Sequence, residues 1–433
     1  MKKINVIMLV CIMMLVCTSI GFAGGSKQSS SSSEGPIVLN FIHYWAGTHL
    51  GKPWWDVVYK RFNEKNKGKI VLNLEELPTD TMVIEKLKVL AATKQLPDVA
   101  DARDGVKDLA IRNGQAIELT PFLNRDPDYR DKVIGKAAIA SISEPDGKIY
   151  TVTPTTIIIG YYYNKDMFQR AGINPAKTWD EWFSNCEKLK ALGIAPIAMM
   201  TGENSWTTNL ILASNVASRG QAGQTFMNTK YPKTYQIPEM IQGLSDIQRS
   251  LQKYATVDSL GAAYNNAANS FLSEQAAIIA NGPWMIGDFS NPEKAAPGFD
   301  KKVGWAMYPG DGLIATFAES YVLCSPPERT EAAWTLLQAL TDRESQLDWL
   351  RITGGLPTAI DLEIPADVRR NMPMVVEHVE GAARMKYYCS YFDVISKASV
   401  IDAFGRYYPE LAAGTLTPAE MARRLDQAAA ESR

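Results

Sequence analysis

Residues 37–74 read IVLNFIHYWAGTHLGKPWWDVVYKRFNEKNKGKIVLNL, a strand, a loop, a helix and a second strand in succession. Ile37 to Ile42 is the first strand, and His43 to His49 is the loop after it. Pro53 opens a helix that places Trp55, Val58, Tyr59 and Phe62 on one face. Asn66 to Gly68 ends the helix, and Ile70 to Leu74 forms the next strand. A second helix carries Val83, Leu87, Leu90 and Ala91 at helical spacing. Leu96 to Ala100 is a third strand, followed by the polar turn Asp101 to Gly105. Strands alternating with helices predict a largely parallel sheet covered by helices.

The middle of the chain repeats the theme. Gly147 to Thr153 and Ile157 to Tyr163 read as strands. Thr178 and Glu181 have capping-box spacing, and the helix they start carries Trp179, Trp182, Phe183, Cys186 and Leu189 on one stripe. Ile194 to Met199 is a further strand, Pro238 opens a further helix, and Ile314 to Leu323 reads as one strand. Thr417 to Glu420 is a second capping box. Trp55, Trp179, Trp182 and Trp334 fall on apolar helical stripes and are expected in the core. Connections near Thr153–Thr156, Gly310–Thr316 and Gly354–Thr358 divide the chain into two lobes, with more than one passage between them. The predicted fold is α/β with two lobes and hinge connections. Lobe 1 is expected over 37–154 plus 316–356, and lobe 2 over 155–315 plus 357–433.

Residues 276–289, AAIIANGPWMIGDF, suggest where a ligand sits. The run Ala276 to Ala280 suits a buried strand and is too short for a helix. Gly282 and Pro283 break it, and Trp284 follows. Clefts in α/β proteins lie just beyond strand ends, and an indole there offers a flat apolar face to a sugar ring. The competing reading is that Trp284 plugs the core.

The N-terminus gives an address. Lys2 and Lys3 precede an apolar run from Ile4 to Val16, and Gly21-Phe22-Ala23 is a small-x-small step. Residues 1–23 therefore read as a secretory signal peptide, with cleavage after Ala23. A lipoprotein signal ending at Cys17 is the alternative, although Val16 is a poor residue before the cysteine. Residues 24–36 form a Ser-rich leader. The formal net charge is −2, and it becomes −4 once Lys2 and Lys3 are removed. A chain of this balance has no basic patch for nucleic acid. Cys186, Cys324 and Cys389 are an odd, widely spaced set and read as small core residues.

An ordered set of motifs carries a family likeness. Leu96-Pro97-Asp98-Val99 and Asn113 to Thr120 come first. Asp146 to Tyr150, Tyr162 to Phe168, Ala171-Gly172-Ile173 and Thr178 to Glu181 follow. Ala276 to Trp284, Glu331 to Trp334 and Gly354 to Pro357 complete the series. Together they resemble the family 1, sugar-type extracellular solute-binding proteins of ABC importers, the group of maltose-binding protein. The resemblance covers nearly all of the chain beyond the signal peptide. It implies a type II, venus-flytrap periplasmic-binding-protein fold, a sugar or oligosaccharide held between the lobes, and delivery to membrane permease subunits. It further implies a monomer in the periplasm or on the outer face of the cytoplasmic membrane, with no cofactor, metal or catalytic residue.

The resemblance also directs attention to particular side chains. Trp45 and His49 lie in a loop that the family uses to hold sugar hydroxyls; for Trp45 the competing reading is a cap on the lobe core. Asp101, Arg103 and Asp104 follow the third strand, where carboxylate and guanidinium groups suit vicinal hydroxyls. An exposed charged turn is the competing reading. Glu203 and Trp206 lie in a polar loop after Met199. Glu319 stands where the family commonly has small glycines. Tyr391 belongs to an aromatic group with Tyr388 and Phe392, whose competing reading is helix core.

Two other functions fit parts of the sequence. A secreted carbohydrate-active enzyme also pairs aromatic rings with carboxylates. A ferric-ion receptor would use adjacent tyrosines, such as Tyr161-Tyr162-Tyr163 or Tyr387-Tyr388, with His43 or His49.

Overall fold

The computed structural model describes residues 35–47, 49–317 and 319–431. The expected signal peptide, Cys17 and the leader as far as residue 34 lie outside the described residues. The chain first lays down β1 (Ile37–His43), β2 (Ile70–Glu76), β3 (Val99–Asp101) and β4 (Thr151–Val152). It continues with β5 (Thr155–Asn164), β6 (Ala195–Ala198), β7 (Ala276–Asn281), β8 (Val303–Ala306) and β9 (Gly312–Phe317). The last strands are β10 (Tyr321–Leu323), β11 (Leu356–Pro357) and β12 (Tyr387–Cys389). They form two sheets, one ordered β2-β1-β3-β10-β4 and the other β12-β9-β5-β7-β6, with β8 and β11 also paired to β5.

The two sheets explain the two lobes, because each buries both of its faces. In the first, Leu39 and Phe41 point into one core while Ile42 points into the other. In the second, Ile157, Ile159 and Tyr161 share a core with Trp182, whereas Ile158 and Tyr162 join Phe271, Phe289 and Trp305 on the opposite face. This is the two-residue period of a strand, applied to strands covered on both sides. Trp55, Trp182 and Trp334 are buried, as their helical stripes predict. Trp179 is half-buried and donates from Nε1 to Ser218 Oγ at 2.7 Å. Cys186 and Cys389 are buried, and Cys324 is half-buried.

Several sequence expectations need correction. The sheets are mixed: β1 runs parallel to β2 and β3, but β10 is antiparallel to β3 and β4, and β5 is antiparallel to β7, β8 and β9. β10 arrives directly from the other lobe, without the helical crossover that a parallel neighbour needs. The run Ile314 to Leu323 is two strands in two sheets, so the second passage follows Phe317 and precedes Tyr321, and is not at Gly310–Thr316. Only Thr151 and Val152 of the expected strand Gly147–Thr153 are paired, since Gly147 turns the chain with φ of 82°. In the first capping box Thr178 Oγ1 accepts from the Glu181 N–H at 3.1 Å, but the Glu181 carboxylate accepts from the Lys177 N–H at 2.7 Å. Tyr388 lies on β12 with 50% exposure, outside any helix core, whereas Phe392 is buried.

The three passages between the lobes converge on Thr153. Ser320 Oγ donates to Thr153 Oγ1 at 3.2 Å, and Thr358 Oγ1 donates to the Thr153 carbonyl at 3.3 Å. The Thr358 N–H also reaches the Pro154 carbonyl at 3.2 Å. Short extended segments tied together in this way form a hinge, because a few backbone angles there set how the lobes meet.

Candidate ligand cleft

The second-lobe wall is built on the break after β7. Asn281 Nδ2 donates to Tyr264 Oη at 2.9 Å, and its Oδ1 accepts from the Gly282 N–H at 2.9 Å. Tyr162 Oη donates to the Gly282 carbonyl at 2.9 Å. Pro283 then starts a 3₁₀ turn, and Trp284 is its second residue. Trp284 is half-buried and packs against both cores of the second lobe, as a side chain at a sheet end must. Trp206 opens the helix Trp206–Ala217, with its ring centroid 6.0 Å from that of Trp284. Tyr391 stands edge-on to Trp206 at 5.0 Å and is 5% exposed, so it braces that indole from behind. Three aromatic rings thus form one wall.

The loop between β6 and Trp206 carries two backbone outliers. Glu203 and Ser205 both adopt left-handed backbone angles, φ 49° and 55°, which cost non-glycine residues energy. Glu203 is exposed at the rim. Its Oε2 accepts from the Tyr264 N–H at 2.9 Å, and its Oε1 accepts from Thr81 Oγ1 of the first lobe at 3.3 Å.

The first-lobe wall is polar and rises from the ends of β1 and β3. Arg103 grips Asp101 with two nitrogens, Nε at 3.0 Å from Oδ1 and Nη2 at 2.6 Å from Oδ2. The same Nη2 donates to Tyr44 Oη at 3.1 Å, and Asp80 lies 3.7 Å from Nη1. This fork geometry fixes the guanidinium plane. His49 accepts from the Gly51 N–H through Nδ1 at 2.9 Å and meets the Tyr44 ring edge-on at 5.0 Å. Burial, with help from Lys294 and Arg103, lowers its pKa to about 4 against an opposing pull from Asp80, so the ring is neutral at pH 7. Asp104, at φ 52°, faces Asp393 of the second lobe. Burial pushes both carboxyls up, and for Asp393 the Asp104 charge adds to it. Asn204 Nδ2 donates to Asp393 Oδ1 at 3.1 Å.

The structure groups Trp206, Trp284 and Tyr391 on the second lobe and His49, Asp101, Arg103 and Asp104 on the first, with Thr81–Glu203 and Asp104–Asp393 as contacts between the two groups. Two expected ligand contacts lie elsewhere. Trp45 is 4% exposed in the first-lobe core, packed on Trp54 at 4.8 Å and His43 at 5.6 Å. Residues 41, 43 and 45 share a face by strand alternation, so Trp45 follows Phe41 inward and Tyr44 is turned toward Arg103. Glu319 is held in ion pairs with Lys107 at 2.7 Å and Lys230 at 3.1 Å. Its Oε1 is shared by the two lysines. Asp80, Tyr264 and Asp393 carry no local sequence signal for such a place, whereas Tyr44 carries one in the two-residue alternation that continues from β1.

The tyrosine runs are engaged in packing. Tyr161 and Tyr162 are buried on opposite faces of the second sheet, and Tyr387 Oη donates to the Pro309 carbonyl at 3.0 Å. Among the described residues no group of three or more His, Cys, Asp and Glu side chains is placed to hold a metal.

Buried histidines give the fold a defined pH response. His43 and His378 are 2% and 0% exposed, and burial lowers each pKa from 6.5 to about 4, with Lys52 adding to the shift at His43. The unfolded chain binds these protons first, so stability is lost as pH falls from 6.5 toward 4. The loss is on the order of a few kcal/mol over that window. Urea melts at intervals across it should show the decline, and His378→Gln should remove part of the slope.

Two sheets covered by helices, joined by three passages of the chain, define a two-lobed α/β protein. The chain belongs to the family of bacterial extracellular solute-binding proteins, whose model matches residues 58–372. It is 27% identical over 237 residues to an arabinooligosaccharide-binding protein of Bacillus subtilis, covering 53% of this chain and 52% of that protein. It thus spans about half the length of that relative. A multiple sugar-binding protein of Streptococcus mutans is 28% identical over 308 residues, which are 68% of this chain and 67% of that one. A solved chitin oligosaccharide binding protein superposes with a TM-score of 0.79 at 21% identity, covering 92% of this chain and 98% of its own. At that identity the last likeness is one of fold.

Proposed function

We propose that this protein is an extracytoplasmic receptor that captures a sugar or oligosaccharide between its lobes and delivers it to an ABC importer. The single observation that carries this reading is the Trp206–Trp284 ring pair at the strand end of the second lobe, with the Arg103–Asp101 fork at the strand end of the first. Flat apolar rings accept the C–H face of a sugar, while a fixed fork of donors and acceptors suits vicinal hydroxyls. The relatives that bind sugars by name support the ligand class. His49, Asp104, Glu203 and Tyr391 complete the proposed site, with Tyr391 acting as a brace. Export by the N-terminal segment, action as a monomer and docking to permease subunits belong to the same proposal. So does binding without chemistry. Among the described residues no helix is long and apolar enough to cross a membrane.

A thermal-shift panel of glucose, maltose, raffinose, arabinobiose and chitobiose tests it. A sugar at about 100 times its Kd stabilises the folded state by about 2.7 kcal/mol and raises the melting temperature. The receptor reading requires such a rise with at least one sugar and intact sugar recovered afterwards. No rise with any sugar, or hydrolysed product, contradicts it.

A further inference from the structure

A second set of contacts between the lobes is made by charged groups and does not use the aromatic rings. On the first lobe Lys107 is 2% exposed, and its ammonium meets Glu144 at 2.6 Å, Glu319 at 2.7 Å and Asp108 at 3.2 Å. Three carboxylates against one ammonium leave this pocket with an excess of negative charge. The second lobe supplies what is missing. Lys230 Nζ lies 3.1 Å from Glu144 and 3.1 Å from Glu319, and Tyr231 Oη donates to Asp108 at 3.2 Å.

The segment that presents these two groups is tied to its own lobe. Tyr231 is held in a left-handed conformation, φ 53°, and its N–H donates to the Ile395 carbonyl at 2.7 Å. The lobes also meet in close packing nearby. A Cβ on Gly105, whose φ is 87°, would lie 2.4 Å from the Cβ of Ala398. Glycine is needed there both for its backbone angle and for the approach of the second lobe.

We propose that Lys230 and Tyr231 form an electrostatic latch, which docks into the Glu144–Glu319–Asp108 pocket and biases the two-lobe equilibrium toward the closed arrangement. The latch would act whatever the ligand, so it goes beyond the sugar reading and stands or falls separately from it. Open lobes leave the acidic pocket under-neutralised, and closing supplies one ammonium and one hydroxyl donor. The pairs are only partly exposed, at 14–19% for Glu144, Lys230 and Glu319, so they are stronger than surface pairs yet still weakened by salt.

The test is the distribution of distances between spin labels on the full mature protein without added sugar. Labels at cysteines replacing exposed Val89 and Val257 report on the two lobes, with Cys324 changed to Ala. Lys230 protein, Lys230→Met and Tyr231→Phe are compared at about 20 mM and about 500 mM salt, either side of effective screening. The closed-to-open ratio should fall about tenfold in Lys230→Met and less in Tyr231→Phe. Added salt should shift the Lys230 protein toward the open distance and leave Lys230→Met nearly unmoved. Identical distributions in all three proteins, or a full salt response retained by Lys230→Met, would overturn the proposal.

Discussion

Lys107→Met should lower stability by about 3 kcal/mol, seen as a reduced urea midpoint at unchanged slope. The ammonium is 2% exposed and closes ion pairs with Glu144, Glu319 and Asp108. Burial alone would push its pKa down, but Glu319, Asp108, Tyr231 and Glu144 together hold it above the usual lysine value. Removing one partner of a buried network leaves the others uncompensated, which costs more than the intact network contributes. The acids keep 14%, 19% and 29% of their side-chain surface, so water recovers part of the loss and the effect lies at the lower end of the usual range. Lys52 offers the contrast. Its pair with Asp56 has both side chains well exposed, at 37% and 58%, and Lys52→Met should cost under about 1 kcal/mol. Equal losses for the two substitutions would contradict the account of the Lys107 pocket.

Trp284→Ala should weaken sugar binding by about 1–3 kcal/mol, roughly a tenfold to hundredfold rise in Kd. The indole follows a strand end, is held by the Tyr162–Gly282 and Asn281–Gly282 hydrogen bonds, and stands beside Trp206 at 6.0 Å. Part of it also packs on both second-lobe cores, so the variant will be less stable as well as weaker binding. Calorimetry below the variant's melting range separates the two effects. Trp284→Phe keeps a flat ring and should retain more affinity than the alanine variant. An unchanged Kd in Trp284→Ala would remove the residue from the site.

The residues that declare themselves locally were legible in the sequence. β1 and β2 are single apolar runs, and the helix between them shows its stripe and its proline. The break after Asn281 marks the strand end that carries Trp284. Features that depend on distant partners were hidden. Nothing in the run Ile314 to Leu323 says that its two halves pair with different sheets, because that is decided by Thr156 on one side and Asp101 on the other. Trp45 was drawn outward by its loop, although two-residue alternation from Phe41 places it inward. Glu319 looked available because Lys107 and Lys230 are 212 and 89 residues away in sequence. Asp393 has no local signal for the same reason, since what sets it apart is Asp104, far away in sequence.

The most direct test of the central claim is a crystal structure grown with the tightest-binding sugar of the panel. The account predicts one sugar ring lying flat against Trp284 or Trp206, with hydroxyls within hydrogen-bond distance of Asp101, Arg103 or Asp104. Sugar density touching only one lobe, or lying away from both walls, would contradict it.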